Sequence, residues 1–167
     1  MIESLDPNIL IPALAGVLGA AVGAVASFVP NLITDYFRNK RESKKIEASL
    51  IAEIKALVEV ADTRKYLATL EQISTYLQSQ PVGTNYQITV NAPQEYSRIY
   101  QTNAHQIGLV KAKVAVEIVR FHQLIDAVVQ DVRLGGVFSM GAGLEVYTET
   151  AGILRSALEI GRKLKYS

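Results

Sequence analysis

Apolar and polar positions divide this chain into two unlike parts. From 7 to 34 no residue is ionisable, and 9–29 reads ILIPALAGVLGAAVGAVASFV. As a helix rising 1.5 Å per residue, that stretch covers roughly 30 Å, the hydrocarbon thickness of a bilayer. Downstream the pattern changes to helical stripes. Ile46, Leu50, Ile54, Leu57 and Ala61 recur every three or four residues, and Leu67, Leu70, Ile73 and Leu77 continue with a shifted phase. The phase change at Asp62-Thr63 predicts either one helix across 38–79 or two with a kink near Asp62. Breakers at 80–85 (QPVGTN) end it. Tyr86 to Val90 is β-prone but too isolated for a sheet of its own.

Asn91 and Gln94 have the spacing of a capping box, which predicts a helix from there to about Ala104 with a break at Ile107-Gly108. Val114, Ile118, Phe121, Ile125, Val128 and Val132 form a heptad seam, closed by Gly135-Gly136. The glycine-rich stretch 135–143 reads as a flexible loop offering Val137, Phe138, Met140 and Leu144 to membrane or partner. Tyr147, Ala151, Leu154, Leu158 and Gly161 repeat the seam, and Arg162, Lys163 and Lys165 complement the negative end of that last helix. Stripes joined by short connections imply an antiparallel helical bundle.

The flanks give the charge-free stretch a direction. Arg38, Lys40, Arg41, Lys44 and Lys45 crowd its C-terminal side, whereas Glu3 and Asp6 precede it. Positive-inside reasoning puts the N-terminus outside and the bundle in the cytoplasm. Ala24-Val25-Ala26 mimics a signal-peptide cleavage site, but the acidic start has the wrong sign for one. Tyr36 and Phe37, with Arg38, Lys40 and Arg41, are the candidate membrane-interface residues. Pro30 bends the chain near the inner end. Ala15, Gly19, Gly23 and Ser27 recur every four residues, which leaves a groove where a second backbone can approach closely; they are the candidate oligomerisation residues.

Composition adds exclusions. With 17 basic and 16 acidic residues the net charge is +1, so nucleic acid is not an expected partner. Without cysteine there is no disulfide, thiolate metal site or cysteine nucleophile. No phosphate-loop, dinucleotide or nucleophile-elbow motif occurs, and neither cofactor nor metal is expected. A zinc site is not expected of the two histidines, His105 and His122. Glu47, Glu53 and Glu59, among Lys44, Lys45 and Lys55, read as a solvated face. One pair carries chemistry: Arg98 and His105, with six residues between them, are the catalytic candidates for RNA cleavage. The arginine would hold the phosphate, and the histidine would move a proton at the ribose hydroxyl.

This architecture, with its loose R-x6-H, resembles the small HEPN-like membrane proteins that accompany type VI-B CRISPR RNA-targeting effectors and assemble into membrane rings. The resemblance implies a role in antiviral defence and a gated pore. Ile99 departs from the HEPN signature, which places a polar residue directly after the arginine. Residues 100–110 (YQTNAHQIGLV) also look like a Tyr-x2-Asn-x3-Ile-Gly-x-Leu pattern of single-span bacterial proteins, with Val110 where the pattern has leucine; in it Asn103 and Gly108 are structural.

The expected fold is all-α: an extracytoplasmic N-terminus (1–8), a transmembrane helix (9–33) and a cytoplasmic antiparallel helical bundle (34–167). The expected function is a non-enzymatic, membrane-anchored homo-oligomer in the cytoplasmic membrane, a pore or signalling assembly. An adaptor docking a cytosolic protein partner, or a tethered RNase, is the alternative. Lipid bilayer and self are the expected partners.

Overall fold

The computed structural model describes residues 7–90, 93 and 95–165, with side chains from Thr34 onward. Helix α1, Pro7–Thr63, passes from one compact unit, Met1–Glu42, into another, Ser43–Ser167. The expected span 9–33, with Ala15, Gly19, Gly23 and Ser27, lies outside the residues whose side chains are described. Among the described residues, no helix is long and apolar enough to cross a membrane.

The second unit is helical throughout its described elements. At Thr63 α1 stops, and Lys65 takes a left-handed conformation (φ 55°) that turns the chain into α2, Tyr66–Gln78. Of the two sequence readings here, the kinked pair is the one observed. Next come α3 (Arg98–Asn103), a 3-10 turn (Ala104–Leu109), α4 (Ala112–Val132), a single turn α5 (Val137–Met140) and α6 (Leu144–Lys163). The helix expected from Asn91 is shorter than its capping box predicts, starting only at Arg98. Asn91 and Gln94 lie outside the described residues.

The predicted stripes form the core. Ile46, Leu50, Ile54 and Ala61 of α1 are buried, as are Leu70, Ile73 and Leu77 of α2. So are Ile118, Phe121 and Val128 of α4, and the whole α6 seam from Tyr147 to Gly161. Helices α4 and α6 run antiparallel: Thr150 donates to Asp131 at 2.9 Å, while the Cβ position of Gly161 faces Phe121. The C-terminus of α6 leaves carbonyls unpaired within the helix, and Lys55 Nζ donates to two of them, Gly161 O (3.0 Å) and Arg162 O (3.1 Å).

One further expectation needs correction. Residues 135–143 are not a free loop: they wind into α5, where Phe138 is fully buried and stacks on Tyr147 with ring centroids 4.2 Å apart. An aromatic ring of that size gains more from core burial than the neighbouring glycines lose in order. Segment 84–90 crosses the bundle as an extended strap. Tyr86 bridges Ala142, Ile88 N–H donates to Phe138 O, and Val90 N–H donates to Val132 O.

Candidate functional site

The polar centre of the bundle gathers around His122, which the α4 stripe carries into the core. Its ring is fully buried, stacked on Tyr100 at 3.9 Å and edge-on to Phe121 at 5.3 Å. Among the described residues neither ring nitrogen has a hydrogen-bond partner, and the nearest carboxylate oxygen, Glu53 Oε2, is 3.8 Å from Nε2. That distance is too long for a hydrogen bond. Burial lowers the imidazole pKa to about 4, against the opposing pull of Asp126, so the ring is neutral at pH 7.

Glu53 reaches from α1 to the start of α3, where its two oxygens accept the N–H groups of Ile99 (2.7 Å) and Tyr100 (2.9 Å). A helix this short cannot satisfy its own first turn, and Ser97 at its N-cap makes no side-chain cap bond. A carboxylate from another helix supplies what the local sequence lacks. Tyr96 donates its hydroxyl to Asp126 Oδ1. Burial, then this carboxylate, raises the phenol pKa, so Tyr96 keeps its proton.

Glu47 and Glu53 therefore depart from the solvated face read in the sequence. Glu47 is buried with Oε1 lacking a partner, and Glu53 caps α3; Glu59 alone of the three is exposed. The sequence reading of His122 also misses Asp126, four residues along α4 and so on the same face. That spacing was the available signal. Among the described residues no group of three ligating side chains is placed to hold a metal ion.

Beside this centre lies a cavity of about 350 Å³. Leu57 and Val60 of α1, Leu70 of α2, Ile88 of the strap, Val129 of α4 and Leu154 of α6 enclose it, and Tyr96 joins it to the polar centre. Protein interiors seldom leave such space. It opens to solvent past exposed Val60, Thr69 and Pro93, so water that fills it wets apolar walls. An apolar cavity meeting a few convergent polar groups is the usual form of a small-molecule site.

The sequence-derived site residues fall elsewhere. Arg98 is exposed and pairs with Glu95 at 2.6 Å, while exposed His105 has Nε2 3.0 Å from Gln106 Nε2. Among the described residues, no hydrogen bond or ion pair brings Arg98 and His105 together. Tyr36 and Phe37 are 62% and 54% exposed and meet edge to face, with Lys40 Nζ 5.8 Å from the Tyr36 ring centre. Arg38 and Arg41 are exposed beside them. No family model, curated protein or solved structure matches the chain.

Proposed function

We propose that the chain is a single-pass, self-associating membrane protein, with its N-terminus outside and its helical bundle in the cytoplasm. In this reading it works as a gated pore or signalling assembly. The charge-free run 7–34, with Arg38, Lys40, Arg41, Lys44 and Lys45 clustered just beyond Asp35, carries the reading. Exposed Tyr36 and Phe37 suit the headgroup level, where aromatic rings settle with cationic neighbours. The four-residue repeat Ala15, Gly19, Gly23, Ser27 supplies the packing surface between copies. The resemblance to HEPN-like membrane proteins adds a defence role to the same proposal. His122, Glu53 and Asp126 hold the bundle together in it rather than turning over a substrate.

The test uses the full chain. It stays in the membrane pellet through an alkaline carbonate wash and runs in detergent as one defined oligomer. Gly19→Ile with Gly23→Ile splits that oligomer while membrane retention persists. A chain washed into the supernatant overturns the anchor, and a monomer in detergent overturns self-association.

A further inference from the structure

The cavity between α1, α2, α4 and α6 has a shape and a chemistry that together select a ligand. Among the described residues that line it, none is charged. Of its three hydroxyls, two are committed, Thr69 donating to Lys65 O at 3.1 Å and Tyr96 to Asp126, and Tyr66 supplies the third. A charged group buried there would find no counter-charge. Along α4 the lining runs from Ile125 to Val132, roughly 10 Å of helix, so the space is long as well as apolar. Its mouth includes Val60, which is 49% exposed although apolar. At roughly 30 Å³ per water-sized group, 350 Å³ holds on the order of ten methylene groups.

We infer that this cavity binds one linear aliphatic chain, tail inward along α4 and polar head at the Val60 mouth. A free fatty acid and the acyl chain of a lipid share that chemistry. The walls are branched aliphatic side chains apart from Ala61, Tyr66, Thr69, Pro93 and Tyr96, and they conform to a flexible tail. The inference concerns the bundle alone and stands whether or not the chain is anchored in a membrane.

The experiment titrates fatty acids into the full chain held in digitonin, whose steroid body offers no flexible alkyl tail. Dodecanoate binds once per chain. From hexanoate to decanoate each added methylene tightens binding about fourfold, the factor expected for burying one such group. Val129→Phe fills the cavity and weakens dodecanoate at least tenfold. Val60→Phe, at the half-exposed mouth where folding is not at risk, does the same. Absence of saturable binding, affinity independent of chain length, or wild-type affinity in both variants overturns the inference. So does a higher Tm in Val129→Phe with no ligand bound by the wild type, which would make the cavity a mere void. Solvent extraction and mass spectrometry of the purified protein then name the source, a phospholipid or a free acid at one per chain.

Discussion

Helices α1, α4 and α6 meet twice, once too closely for a side chain and once with room to spare. At Gly161 a Cβ would sit 2.5 Å from Val58 Cγ2, 3.0 Å from Phe121 and 3.2 Å from Ile54 Cγ2. Toward the other end of α4, the lining residues Ile125, Val128, Val129 and Val132 leave about 350 Å³ open. Side-chain reach makes the difference. A glycine lets the backbone of α6 approach, and a phenyl ring fills what remains. At the cavity, short valines and Ala61 cannot span the same gap. Tight packing is therefore a property of particular seams, and the loose seam is where a ligand has room.

The tight seam predicts the largest loss. Phe121 is fully buried, touching both His122 and the Gly161 approach. Phe121→Ala removes the ring from a place with no slack for collapse and costs about 3–5 kcal/mol, read from the urea midpoint of the full chain. A cost under about 1 kcal/mol would mean that the two seams are equally loose.

The stripes of the bundle were legible because burial follows helical period wherever side chains face one core: the α6 seam from Tyr147 to Gly161 is buried at every predicted position. The site was less legible. Glu53 looks like a surface acid, since its partners, the N–H groups of Ile99 and Tyr100, lie 46 and 47 residues away. His122 falls next to Phe121 on a stripe, so its burial followed from the period, yet its stacking on Tyr100 joins segments that no local pattern links. The cavity is illegible in principle, because it depends on gaps between helices rather than on residue order.

The polar centre predicts a smaller, pH-dependent loss. In the unfolded chain an imidazole titrates near 6.5, whereas buried His122 titrates at about 4. Between those values the unfolded state binds a proton that the folded state refuses, so stability falls as pH drops from 6.5 toward 4 and levels off below. At 1.36 kcal/mol per pH unit the loss is about 3 kcal/mol. The difference between wild type and His122→Phe isolates the histidine from the facing carboxylates Glu53 and Asp126. Phenylalanine keeps a ring against Tyr100 and removes the titration. Equal acid sensitivity in the two proteins would show that His122 accepts its proton in the fold.

The smallest effect gives the sharpest comparison, because one helix carries both of its arms. Gly152 and Gly161 both lie within α6, yet a Cβ on Gly152 meets nothing within 4 Å. Alanine in a helix interior is favoured over glycine by about 1 kcal/mol, so Gly152→Ala stabilises by up to that amount. Gly161→Ala has the same propensity gain and a steric cost besides. Val58 is β-branched and short, and cannot swing its Cγ2 away without moving α1. Overpacking of this kind costs about 1–3 kcal/mol, which leaves a net loss of about 1 kcal/mol. Thermal unfolding of the two variants therefore moves in opposite directions. If both rise, the seam at Gly161 yields as easily as open solvent, and the contrast between packed seam and cavity loses its cause.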